Sequence, residues 1–112
     1  MRTRPMLIAT LLSATAVLSA CGGGSDAPRA PATATVRIAG FKFKPANVTV
    51  RTGGTVRFTN DDRAEHTATM SGRLDTGTLR MGQSKAVVLR RPGTFVYRCD
   101  FHPFMTGEIV VK

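Results

Sequence analysis

The stretch Tyr97-Arg98-Cys99-Asp100-Phe101-His102-Pro103-Phe104-Met105-Thr106-Gly107 constrains this chain more than any other. It carries a thiol, an imidazole and a thioether, with two residues between each pair. Thr94-Phe95-Val96-Tyr97 before it and Glu108-Ile109-Val110-Val111 after it both read as strands. The three donors therefore sit at a strand end and on the tight loop that follows, where they can wrap one ion. A thiolate, an imidazole and a weak thioether form the ligand set of an electron-transfer copper site once a second imidazole joins them. The chain has 2 histidines, and the other is His66.

The residues from Thr35 onward fit that loop into an all-β frame. Val36 and Ile38, with Phe41 and Phe43 as candidates to extend the run, alternate with polar neighbours. Val48 and Val50 resume the alternation after Pro45-Ala46, and Val56 and Phe58 continue it after Thr52-Gly53-Gly54. Asn60-Asp61-Asp62 is a turn signal, His66-Thr67-Ala68-Thr69-Met70 a short strand, and Arg73 to Met81 an irregular segment. Ala86-Val87-Val88-Leu89 and the turn Pro92-Gly93 lead into the strand before Cys99. Seven or eight short strands with turns of Gly, Pro and Asn describe an antiparallel β-sandwich over residues 35–112.

The leader is different in kind. Arg2 and Arg4 precede an apolar run from Met6 to Leu18, too short for a comfortable membrane span, so residues 1–20 read as a cleaved export signal. Leu18-Ser19-Ala20-Cys21 resembles a bacterial lipobox, which implies cleavage before Cys21 and a lipid on its sulfur. Residues 21–34, rich in Gly, Ala and Pro, then read as a flexible tether. Exported cysteines usually pair. With Cys21 lipidated, Cys99 has no partner, and metal ligation is one way to keep such a thiol protected.

Each donor also has a plainer reading: Met105 as packing, His66 as a turn histidine, Cys99 as a small buried hydrophobe. Those readings must all hold together while both histidines and the one unlipidated thiol suit the same ion. Zinc competes for Cys and His, although structural zinc usually recruits more thiolates. A Cys-His hydrolase lacks an orienting partner and oxyanion donors. The chain carries 16 Lys and Arg against 7 Asp and Glu, a formal net charge of +9. These cations are scattered, and no nucleic-acid recognition motif accompanies them.

The segment from about Val36 to Lys112 resembles the cupredoxins, the plastocyanin and azurin family of blue copper proteins. Tyr97, Cys99, His102, Pro103, Met105, Gly107, Ile109 and Val111 match that family's ligand loop, and Val56, Phe58, Asn60, His66 and Thr67 match its upstream ligand strand. The two-and-two spacing of Cys99, His102 and Met105 is similar to that of amicyanin. The resemblance implies a Greek-key sandwich and one type 1 copper ion held by His66, Cys99, His102 and Met105. It departs from the family at Thr67, where several members carry an Asn that buttresses the two ligand segments. Thr67 and Asn60 are the expected supporting residues, and they bear on the reduction potential.

The resemblance further implies that His102 lies near the surface as the electron's exit, with Phe101, Pro103 and Phe104 around it as an apolar docking patch; one of the two phenylalanines is expected to pack into the sandwich end. The expected protein is a monomeric, non-enzymatic electron carrier. It is anchored by lipid on the periplasmic side of a bacterial membrane, where Gly22 is compatible with outer-membrane sorting. Its expected partners are acidic-rimmed redox proteins such as a cytochrome, dehydrogenase or oxidase. The alternative is a copper-binding or delivery protein of the export compartment, for which Met70 and Met81 are candidates if they are not core residues.

Overall fold

The computed structural model describes Thr3 and residues 29–112. The expected export signal of residues 1–20, the expected lipidation site Cys21 and most of the segment expected to be a tether lie outside the described residues. Among the described residues the chain folds into nine strands and no helix: β1 (Thr33–Ala39), β2 (Lys42–Lys44), β3 (Asn47–Val50), β4 (Gly54–Asn60), β5 (Thr69–Met70), β6 (Leu74–Asp75), β7 (Ser84–Leu89), β8 (Gly93–Arg98) and β9 (Thr106–Val111). They form two facing sheets, ordered β2-β1-β4-β7 and β3-β9-β8-β5-β6.

The all-β sandwich agrees with the reading of the sequence, and two details refine it. The sheets are mixed, because β1 runs parallel to β4 and β3 parallel to β9. Alternation of apolar and polar residues reports which face a residue occupies but not the direction of its neighbour, so parallel pairs are invisible to it. The strand count is nine because the segment from Arg73 to Met81 contributes the two-residue β6, too short to show a period.

The first strand also begins before residue 35, where the folded domain was expected to start. Thr33 and Ala34 belong to β1, where they face Thr55 and Val56 in register, and Ala34 packs against the core. At the other end of β1 the expected alternation through Phe41 breaks. Gly40 and Phe41 form a two-residue hairpin loop with φ of 60° and 59°, and Ala39 pairs with Lys42 across it. Positive φ at both loop positions matches the right-handed twist of the flanking strands.

The core follows the two-residue period. Val36 and Ile38 of β1, Val56 and Phe58 of β4, Phe95 and Tyr97 of β8, and Ile109 and Val111 of β9 all point between the sheets and are buried. The same period places Asn60, the last residue of β4, on the core-facing side at the sandwich's end. Phe43, Phe58 and Tyr97 meet edge to face, with ring centroids 4.7 to 6.5 Å apart. One end of this sandwich collects the end of β1, the β1–β2 loop, the ends of β4 and β8 and the start of β9. The donors sit there.

Candidate metal centre

Cys99 follows directly on β8, and the residues after it fold back at once. The Cys99 amide donates to the Met105 carbonyl at 3.1 Å, and the Met105 amide donates to the His102 carbonyl at 2.8 Å. These bonds close the loop on itself, bury Met105, and leave His102 half-buried at its apex. Gly107 makes the return possible, because a Cβ there would overlap the ring and hydroxyl of Tyr97. Tyr97 is itself buried, with its phenol pushed far above the ordinary range by desolvation.

His66 arrives on the connection that crosses from β4 of one sheet to β5 of the other. Its backbone bridges to Leu79, with N–H to O distances of 3.1 and 2.7 Å in the two directions. The expected strand over His66 to Met70 is paired as a strand only at Thr69–Met70, because the preceding amides are spent elsewhere. The Thr67 amide points at Cys99 Sγ at 3.4 Å, and the Ala68 amide donates to Thr76 Oγ1 at 2.9 Å.

The result is a compact donor cluster. Nδ1 of His66 lies 3.7 Å from Cys99 Sγ, and Nδ1 of His102 lies 3.6 Å from it. All three donor atoms fall within 4.8 Å of one another. With metal–sulfur and metal–nitrogen bonds of about 2.3 and 2.0 Å, one ion subtending about 110–120° separates S from N by about 3.5–3.7 Å. The observed separations therefore fit a single shared ion. A buried thiol between two imidazoles, with a buried methionine on the same short loop, suits copper's two oxidation states.

The surroundings fix the ligands. Asp62 Oδ2 lies 2.9 Å from His66 Nε2 and also accepts the Phe41 amide, while Oδ1 accepts the Gly40 amide. Burial, the largest single influence on Asp62, raises its pKa. The bonds from Phe41, Gly40 and His66 together outweigh it and hold the carboxyl below its ordinary value. An ionised Asp62 accepts a proton-bearing Nε2, which leaves the Nδ1 lone pair of His66 directed at the cluster.

Thr67 and Asn60, the expected supporting residues, each make hydrogen bonds beside the cluster. Thr67 Oγ1 accepts the Asp100 amide at 2.9 Å, so this residue ties the His66 segment to the Cys99 loop. Asn60 donates through Nδ2 to the carbonyls of Ala64 and Leu79 and accepts the Asp62 amide.

The outer face is apolar. Phe101 is 49% exposed and Phe104 72% exposed, so neither packs into the sandwich end as expected of one of them. The closure of the loop at Cys99 and Met105 turns both outward beside the exposed Pro103. Met81 is also exposed and is not a core residue; Met70 is half-buried against the core.

Two site residues escaped the sequence. Asp62 is hidden within the turn signal Asn60-Asp61-Asp62, where an acidic residue is ordinary. Phe41 was expected in a strand, yet its ring meets both His66 and His102 edge to face, at 5.1 and 4.9 Å. Only the Gly40-Phe41 hairpin, which alternation does not announce, brings it there.

A cupredoxin-like domain model matches residues 6–111 of the chain. Amicyanin-alpha of Methylorubrum extorquens is 36% identical over 107 residues, covering 89% of each chain. Amicyanin of Paracoccus denitrificans is 30% identical over 83 residues, which span 69% of this chain and 63% of that protein. Among solved structures, a reduced Cu(I) amicyanin variant at pH 4 superimposes with a TM-score of 0.65 at 28% identity, covering 77% of this chain and 85% of the other.

Proposed function

This chain belongs to the cupredoxin-like family, and from that premise we propose that it is a membrane-tethered one-electron carrier with no substrate of its own. The observation that carries the reading is the convergence of His66 Nδ1, Cys99 Sγ and His102 Nδ1 on one point. Copper bound by these three and Met105 would supply a reversible one-electron couple.

The protein's own part is to keep the donors still. Asp62 orients His66, the Thr67 hydroxyl pins the amide after Cys99, and two backbone bonds close the His102–Met105 turn. Ligands held this way rearrange little when charge changes, which keeps the barrier to electron transfer low. His102 is the half-buried ligand, ringed by Phe41, Phe101 and Phe104 at centroid distances of 4.9, 6.5 and 5.9 Å. An apolar face of this kind suits the small interfaces of brief redox encounters. The partners are redox proteins with an acidic rim, such as a cytochrome, a dehydrogenase or an oxidase, and the basic chain steers towards them.

Cys21 would carry the lipid on the periplasmic side of a bacterial membrane, and the segment after it would act as the tether. Amicyanin relatives support the carrier reading without bearing on the anchor. The test is to load the purified protein with copper(II) and record its visible spectrum. An intense band that bleaches reversibly with reductant and is missing in Cys99→Ser supports the carrier. Fast surrender of copper(I) to a chelator, without reversible redox, would move copper delivery to the front.

A further inference from the structure

The end of the sandwich opposite the donors carries a one-sided charge. Strand register defines that end. Thr33 faces Thr55, Gly54 faces Leu89, and Gly93 faces Val111. The Arg51 amide donates to the Pro31 carbonyl at 2.9 Å and the Thr52 amide to the Lys112 carbonyl at 2.8 Å. The starts of β1, β4 and β8 and the ends of β3, β7 and β9 thus meet in one place, where the chain enters the fold from its N-terminal segment.

Arg51, Arg90, Arg91 and Lys112 are exposed at this pole, and Arg29 precedes the residues that join it. Arg73, Arg90 and Arg91 line one groove of about 260 Å³ together with Val88 and Leu89. The Arg73 guanidinium lies 6.0 Å from the Phe95 ring centroid. Among the described residues, no ion pair uses any of these cations; the pairs are Arg37 with Asp61, Arg80 with Glu65, and His66 with Asp62.

The acidic side chains are elsewhere. Asp61, Asp62, Glu65 and Asp100 flank the donor cluster. Asp75 pairs with Thr69, which faces Arg98 at the end of β8, and Glu108 lies near the start of β9. Every described carboxylate side chain therefore sits in the metal half, where it offsets nearby cations. Among the described side chains, the opposite pole presents cations and no carboxylate.

The geometry points to this basic pole as a docking face for an anionic phospholipid bilayer. Clustered guanidiniums in a shallow groove recognise phosphate oxygens through paired N–H donors, and exposed Lys and Arg near an anionic leaflet add attraction residue by residue. The choice of a bilayer over other polyanions rests on the tether proposed above, because the residues between Cys21 and the start of β1 at Thr33 lead into this same pole. A tether alone lets the domain tumble. A basic pole at the tether's point of attachment turns the donor cluster and its phenylalanine ring away from the lipid, towards soluble partners.

The test uses the full chain with Cys21→Ser, exported and purified, so that no lipid contributes. It measures sedimentation with vesicles of phosphatidylglycerol and phosphatidylethanolamine, and with phosphatidylcholine vesicles. The expected result is salt-sensitive binding to the anionic vesicles only. Partitioning should fall by at least about tenfold in Arg90→Glu/Arg91→Glu. Lys42→Glu/Lys44→Glu, an equal charge change on β2 in the metal half, should leave most of the binding in place. Arg51→Glu, on a separate turn of the same pole, should weaken binding in the same direction and guards against a folding defect in the double variant. Equal binding to neutral vesicles, or equal losses in the β2 and Arg90/Arg91 variants, overturns the proposal. The mass of Cys21 in protein from cell membranes tests the anchor separately, so either idea can fail without the other.

Discussion

The two histidines reach the same sulfur by unlike routes. His102 belongs to a loop that begins at Cys99 and closes at Met105, so its position is set by a few consecutive residues and two backbone bonds. His66 is placed by residues gathered from across the fold: Leu79 through its backbone, Asp62 through Nε2, Asn60 through the loop carbonyls, and Thr67 through the Cys99 loop. The local arm supplies most of the ligand chemistry. The assembled arm supplies the rigidity and depends on the folded sandwich, so changes to the two arms should damage different observables.

Cys99→Ser cuts the local arm and has the largest expected effect. The thiolate is the shared neighbour of both imidazoles, so copper-dependent visible absorption should vanish. Replacing a buried thiol with a hydroxyl of similar size should leave the metal-free fold cooperative, as read by urea unfolding. A variant that kept the absorption band would show that the donor set has been misassigned. Asn60→Ala strikes the assembled arm instead. It leaves the Ala64 carbonyl and the Asp62 amide without their Asn60 partner and takes one of two donors from the Leu79 carbonyl, which keeps the His66 amide, at a fully buried position. The metal-free protein should lose about 3 kcal/mol, since each buried group left unpaired costs about 1–3 kcal/mol. An unchanged urea midpoint would mean that water replaces the side chain and the arm is not held there.

This division also explains what could be read from the chain. The local arm was legible because donor types, their spacing and the flanking strands are adjacent in sequence. Alternation located the core and the sandwich because it depends only on which face a side chain occupies. The direction of β1 against β4 was not legible, since direction depends on connections rather than on residue type. Asp62 was not legible because an aspartate four positions before a histidine carries no meaning outside a helix; only the hairpin at Gly40-Phe41, brought over from β1, gives that carboxylate its other two donors. Phe41 was hidden by the same hairpin. Residues whose role comes from another element leave no local signature.

Gly107→Ala probes the point where the local arm leans on the core. The added methyl would overlap Tyr97, whose ring is buried between the sheets. Overpacking of this kind costs about 1–3 kcal/mol. A shift in stability of about 2 kcal/mol, with the visible band retained but displaced, would place the loop's geometry under the control of that contact. A neutral outcome would mean that the Tyr97 ring can move aside freely.

The smallest expected effect concerns Asp62, and pH makes it separable. Its carboxyl is held below the ordinary value despite burial, through the amides of Phe41 and Gly40 and through His66. A folded pKa below the unfolded one gives stability that is fully present above the unfolded value, about 3.9, and is lost as pH falls through the folded value. Asp62→Asn removes that charge and turns one acceptor into a donor facing other donors, so metal-free stability near pH 6 should fall by about 1 kcal/mol. Below about pH 4 the wild-type protein gives up the same contribution, and the two unfolding curves should converge. Copper affinity near neutrality should drop by about tenfold, since a ligand histidine without its oriented partner binds less well. If the two proteins instead stayed separated by a constant margin down to pH 3, the charge on Asp62 would contribute nothing and only its shape would hold His66. If they converged in acid while copper affinity near neutrality stayed unchanged, the carboxylate would stabilise the hairpin through Gly40 and Phe41 rather than orient the ligand.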